Sequence, residues 1–153
     1  MLARRDHARA ELEARLAQRG FDAAEVAAAL DDLERRGFLS DARYAAGVVE
    51  RHGGQTGRRA IEVMLRRKGV AAPARAEALA GLAGRDEFDD ALRLWSKRFG
   101  RVPTDDRERA RQFRFLLARG YGTDTIAKVL RAADAAADRD REDGNSDDRN
   151  RES

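Results

Sequence analysis

Arg58, Arg59, Arg66 and Arg67 fall within one ten-residue stretch. On a helix turning about 100° per residue they occupy the half of the cylinder away from Ile61, Met64 and Leu65. Only Glu62 sits among them, and Lys68 follows at the helix end. Arg offers a planar fork of donors to carboxylate or phosphate, so a stripe of this kind suits anion binding. The same projection after Asp105 and Asp106 turns Ala110, Phe113, Leu116 and Leu117 inward and sets Arg107, Arg111 and Arg114 in an outward stripe. A merely solvated helix surface accounts equally well for either stripe taken alone. Phe115 lies off the apolar stripe, near Arg111 and Arg119. An aromatic so placed can stack on a base, but more often packs against a neighbouring repeat. Tyr44 and Trp95 lie on apolar stripes and are expected in the core.

Other chemistries find little support. There is no Cys for a disulfide, a thiolate nucleophile or a zinc site, and His7 and His52 stand 45 residues apart. No metal or cofactor is expected, and both histidines read as surface residues. Ser40, Ser96 and Ser146 have no nearby His, and Ser40 already suits a helix cap. The Gly-rich stretch 53–57 lacks the Lys-Ser or Lys-Thr ending and the preceding strand of a phosphate loop. The expectation is a protein that is not an enzyme. With no apolar leader and no apolar stretch of membrane-spanning length, a soluble cytoplasmic protein is expected, without a membrane partner.

The elements that position these residues are helices. Val and Ile together number nine against 30 Ala and 14 Leu in 153 residues, which predicts an all-α chain. The net charge of +3 is unevenly spread: −1 over residues 1–37, +4 over 38–83, +4 over 84–133 and −4 over 134–153. A basic body followed by an acidic tail favours a polyanionic partner.

The chain also repeats itself. LEARLAQRGF around Gly20, IEVMLRRKGV around Gly69 and QFRFLLARGY around Gly120 recur at intervals of 49 and 51 residues. Four residues before each Gly stands Leu16, Leu65 or Leu116; one before, Arg19, Lys68 or Arg119; one after, Phe21, Val70 or Tyr121; ten after, Leu30, Leu79 or Leu130. Each Gly suits the left-handed residue that stops a helix, and the next helix starts at once. Asp22 is expected as a cap with Glu25 in a capping box, Phe21 stapled to Val26 and Tyr121 to Ile126. The middle copy, Ala71-Ala72-Pro73, reads as looser, with Pro73 at the first helical position. A further helix precedes two copies, from Asp41 after a cap at Ser40 and from Asp86. The unit is therefore three helices, which predicts three repeats: 1–37 with its first helix truncated, 38–83, and 84–133. Residues 134–153 lose their large apolar side chains and are expected to be a disordered acidic tail.

LARRDHARAELEARLAQRGF, LDDLERRGFLSDARYA, GRRAIEVMLRRKGV and ARQFRFLLARGYGTDTI, in that order over roughly residues 2 to 131, resemble the RecX regulatory proteins, modulators of the recombinase RecA. GFLSDARYA is the most specific of these segments, similar to the family's junction between first and second repeats. The resemblance implies tandem three-helix repeats in a curved, elongated array lying along the groove of the RecA–DNA filament. It also implies inhibition of RecA's ATP hydrolysis, strand exchange and coprotease activity. Partners would be the RecA filament and single-stranded DNA, directly or through the filament, with the chain itself a monomer. Arg58, Arg59, Arg66, Arg67, Lys68, Arg107, Arg111 and Arg114 would form the binding face. Met64 departs from the carboxylate that relatives often carry there.

A stand-alone helix-turn-helix reader of duplex DNA is the alternative, since helix junctions and basic helices would serve it too. Against it, similar basic helices recur at long intervals and polar amides are few, which suits distributed contact better than base-edge readout. The acidic tail reads as a solubilising segment or as a weak autoinhibitor that competes for the Arg faces. If it inhibits, deleting residues 134–153 raises filament affinity at low salt, measurable by fluorescence anisotropy; unchanged affinity excludes autoinhibition.

Overall fold

The computed structural model describes residues 6–148, which form eight helices and, among the described residues, no strand. These are α1 (Arg9–Gln18), α2 (Ala23–Arg35), α3 (Asp41–His52), α4 (Arg58–Arg67), α5 (Ala72–Ala80), α6 (Glu87–Arg98), α7 (Asp106–Ala118) and α8 (Thr123–Asp148). The chain divides into two compact units, Met1–Arg85 and Asp86–Ser153. The first holds α1 to α5 and the second α6 to α8, so the stretches read as the first two repeats share one unit.

The recurring Leu–Gly pattern has a common hydrogen-bond basis. The amide after the glycine donates to the carbonyl of the recurring leucine in all three copies: Phe21 to Leu16 at 3.3 Å, Val70 to Leu65 at 3.1 Å and Tyr121 to Leu116 at 3.3 Å. Gly20, Gly69 and Gly120 hold φ at 85°, 70° and 88° to allow it. This is the Schellman closure, in which a left-handed residue lets the chain satisfy carbonyls at the helix end. At Gly69 the absent side chain matters twice, because a Cβ there would also lie 2.5 Å from the Ala10 Cβ.

Capping follows sequence expectation at Asp22 and Ser40, and a third cap falls on Asp86, expected as the first residue of its helix. Asp22 accepts from the Ala24 and Glu25 amides at 3.1 and 3.2 Å, Ser40 from Arg43 at 3.1 Å, and Asp86 from Phe88 at 2.9 Å. α1 and α5 have no such residue of their own, beginning after Ala8 and Ala71. Both are served by Asp41, whose carboxylate accepts from the Arg9 amide at 2.9 Å and the Ala71 amide at 3.3 Å. Arg9 then ties α1 to α2 by pairing with Asp31 at 2.6 Å and Glu34 at 3.0 Å, while also bonding Glu13 at 2.9 Å. The Glu13 bond first, then that of Asp31, pushes its guanidinium further above its ordinary pKa.

Three cores result. Val26, Leu30 and Leu39 are buried with Leu12, Leu16 and Leu33 against them. Ala8, Tyr44, Ala45, Val48, Ile61, Leu65, Val70 and Leu79 form a second. The second unit is built on Ala91, Trp95, Leu116, Tyr121, Ile126, Val129, Leu130 and Ala133. Tyr44 and Trp95 are core residues, as their stripes predict.

Four expectations are corrected. The first copy is the looser one: Phe21 is 55% exposed, against 1% for both Val70 and Tyr121. Among the described residues the first repeat has no counterpart of α3 or α6 to cover that ring. Pro73 stands at the second helical position of α5, not the first. Leu117 faces outward, and Gln112 takes the buried place on α7. Its Oε1 accepts from the Trp95 indole N–H at 2.7 Å and its Nε2 donates to the Arg101 carbonyl at 3.2 Å. Those bonds offset the cost of burying an amide, which periodicity of apolar residues cannot register. Finally, α8 runs on through the stretch expected to be disordered, as far as Asp148. Residues 138–144 are exposed, so they are helical without packing, on the propensity of five alanines between 132 and 137 and local pairs such as Arg141–Asp138 at 3.5 Å. Loss of apolar residues forbids a core; it does not forbid a helix.

Because one carboxylate caps two helices, Asp41→Ala is expected to destabilise the first unit by about 2 kcal/mol, roughly twice the effect of Ser40→Ala. Urea unfolding followed by circular dichroism measures both; equal effects would show that Asp41 caps no more than its neighbour does.

Candidate binding faces

α4 forms after the Gly57 turn and buries Ile61 and Leu65, which leaves Arg58, Arg59, Arg66 and Arg67 exposed. Arg66 pairs with Glu62 at 3.2 Å, one turn back. Lys68 is engaged by Glu11 of α1 at 3.3 Å, so this cation partly serves the fold. Arg59 and Arg67 have no acidic partner among the described residues, and between them on the same stripe stands Val63, 44% exposed. Val63 was not apparent as part of the face. A single apolar residue among arginines carries no sequence signal, but it makes the surface amphipathic.

On α7, Arg107, Arg111 and Arg114 are exposed as projected; Arg107 and Arg114 have no acidic partner among the described residues, and Arg111 acts on Glu108 without forming an ion pair. The helix is started by Asp105, which accepts from the Glu108 amide at 2.7 Å. Glu108 reaches back to the Thr104 amide at 3.1 Å and hydroxyl at 2.9 Å, and to Arg101 at 3.4 Å. Arg109, in contrast, is spent on Asp134 of α8 at 2.9 Å. The α4 face belongs to the first unit and the α7 face to the second.

Around Phe115 the structure adds residues that spacing alone did not find. Phe115 meets Phe99 of the α6 end edge to face, centroids 5.3 Å apart at 87°. Arg119 lies over Phe115 at 5.3 Å, Arg111 over Phe99 at 5.7 Å, and Arg98 over both rings at 5.4 and 5.7 Å. Phe115 therefore packs within its own unit. Such cation–ring contacts at exposed sites each contribute roughly 0.5–1 kcal/mol, so they orient the guanidiniums without consuming their N–H donors. The run Arg111, Phe115, Arg119 at four-residue spacing was visible in the sequence; Phe99 and Arg98 arrive from another helix.

The Glu108 carboxyl is held below its usual pKa, chiefly by the Thr104 amide, then by its hydroxyl, with Arg101 and Arg111 adding to the effect. A depressed carboxyl stabilises the fold above its unfolded pKa and ceases to do so as pH falls through the folded one. Glu108→Gln is thus expected to lower the melting temperature at neutral pH. The difference should shrink as pH falls below the ordinary Glu value of about 4.3 and vanish once pH is below the depressed folded value. A difference independent of pH would mean that the charge on Glu108 is not what α7 depends on.

Comparison with known proteins follows from these elements. Family models described as the first and third three-helix domains of RecX match residues 1–33 and 85–130. The protein called regulatory protein RecX of Leptothrix cholodnii is 48% identical over 139 residues, covering 91% of this chain and 88% of that one. Its namesake of Ralstonia nicotianae is 38% identical, covering 90% and 86%. The crystal structure of RecX from Lactobacillus salivarius superposes with a TM-score of 0.70 at 18% identity over 86% of this chain and 88% of that one, a likeness of fold. No helix among the described residues is long and apolar enough to cross a membrane. With half its sequence identical to a curated relative over nearly its whole length, and with all-α three-helix architecture, this chain belongs to the RecX family of regulatory proteins.

Proposed function

We propose that this chain binds the RecA nucleoprotein filament and inhibits its ATP hydrolysis, strand exchange and coprotease activity. The observation that carries the reading is the pair of exposed Arg faces, on α4 and α7, in a chain of this family. Arg59, Arg67, Arg107 and Arg114 have no internal carboxylate to satisfy them among the described residues. Their charge is therefore available to phosphates and to acidic side chains of a filament. The mechanism is stoichiometric: a chain seated on the filament obstructs the incoming duplex and the cleavage substrates, and no bond is made or broken by the regulator. Single-stranded DNA is contacted directly or through the filament. A monomer suffices for such a role, which belongs to the cytoplasm and to recombination, repair and the SOS response.

Titrating the chain into RecA with single-stranded DNA, while following ATP hydrolysis, tests the reading. Inhibition is expected at protein levels well below those that coat the same DNA without RecA. No inhibition, with tight sequence-selective duplex binding instead, would favour an independent helix-turn-helix protein. Replacing Arg58, Arg59, Arg66 and Arg67 together by Glu is expected to abolish inhibition while circular dichroism remains helical. Unaltered inhibition in that variant removes the α4 face from the mechanism.

A further inference from the structure

We infer that Phe99 and Phe115, with Arg98, Arg111 and Arg119, form a stacking platform in the second unit for the unpaired bases of single-stranded DNA. The proposal deepens the filament reading and rests on it for its setting, but the contact it assigns is made without RecA.

Both rings are half-buried, with one side packed against the core that contains Trp95 and Leu116. The platform is thus anchored on one side by the core, and the arginines that lie over the rings are themselves exposed to solvent. The edge-to-face contact at 5.3 Å locks the two rings against each other, so little order remains to be gained on binding.

The arginines are the second observation. This chain has 28 acidic residues, and Arg9, Arg43, Arg66, Arg93, Arg101 and Arg109 each find one. Arg98 and Arg119 find none among the described residues, Arg111 acts on Glu108 without an ion pair, and all three lie over aromatic rings, at 5.3 to 5.7 Å. A guanidinium attracted to a ring face does not use its N–H donors in that contact. A ligand that satisfies this arrangement needs anionic oxygens for the donors and a flat π surface to continue the stack. A nucleotide strand offers both, phosphate and base, at every step of its chain. Arg107, one turn before Arg111, extends the charged track along α7.

The platform selects the strand state rather than the sequence. Bases in a duplex already have both faces covered by their neighbours, so only unpaired bases can join the stack. An adenine edge is read by a side-chain amide, and the amide of α7, Gln112, is buried and committed to Trp95 and Arg101. An acidic peptide would satisfy the charge and leave the rings without a use.

The test uses the full chain and a labelled short oligothymidylate, with binding followed by fluorescence anisotropy in the absence of RecA. Three competitors are compared: an abasic strand of the same length, a duplex of the same length, and polyglutamate. The oligothymidylate is expected to bind at least about tenfold more tightly than the abasic strand, given the usual worth of one stacked base. Phe115→Leu, which keeps an apolar side chain but removes the π face, should remove most of that preference. Phe115→Trp should retain or increase it. Thermal unfolding of each variant identifies loss through misfolding, in which case Phe99→Leu is read in its place. Equal binding of abasic and thymidine strands, equal binding of duplex, displacement by polyglutamate as effective as by DNA, or an unchanged preference in Phe115→Leu would each overturn the platform. RecA inhibition is measured in parallel, so that stacking without inhibition condemns the filament reading alone, and inhibition without stacking condemns the platform alone.

Discussion

The first unit depends on one carboxylate. Asp41 begins α3, where its charge favours the positive end of that helix, and it also accepts the free amides at the starts of α1 and α5. Each bond spans about thirty residues of sequence, 32 to Arg9 and 30 to Ala71. Two helices that follow an alanine, Ala8 and Ala71, would otherwise leave the Arg9 and Ala71 amides without this acceptor. The GFLSDARYA segment thus does more than stop one helix and start another. It brings the start of α1 and the turn between α4 and α5 to a single point, which is why residues read as two repeats fold as one unit.

That convergence has consequences for α4. With the turn at Gly69 drawn against Ala10, so closely that no Cβ fits, the buried stripe of α4 is fixed on Ile61 and Leu65. Its Arg-rich stripe must then face solvent. Lys68 is recruited by Glu11 into the same junction and Arg66 by Glu62 within the helix, whereas Arg59 and Arg67 have no acidic partner among the described residues. An exposed basic stripe and a folding contact thus share one short helix.

In the second unit the equivalent restraint is a neutral hydrogen bond. Trp95 and Gln112 join α6 to α7 in the core, and Gln112 also holds the Arg101 carbonyl of the intervening loop. Fixing α7 in this rotation places Phe115 at the rim of the core, beside Phe99, and turns Arg107, Arg111 and Arg114 outward. Polar burial of this kind is costly unless fully satisfied, which makes the rotation specific.

The all-α class, the three Leu–Gly closures, the caps at Asp22 and Ser40 and the outward Arg stripes were all legible in the sequence. Each is settled by residues within a few positions of one another: a left-handed glycine, a side-chain oxygen beside free amides, or a 3.6-residue period. The double role of Asp41, the engagement of Lys68, the burial of Gln112 and the meeting of Phe99 with Phe115 were not. They join residues 16 to 57 positions apart, and which distant partners meet depends on how helices pack. The helical course of residues 134–148 was misread for a related reason: composition reports whether a segment can build a core, whereas an alanine-rich helix extending from one already folded has its nucleus formed for it. Local chemistry by itself determined where helices start, stop and carry charge; tertiary packing alone decided which of those charges are consumed by the fold and which stay exposed.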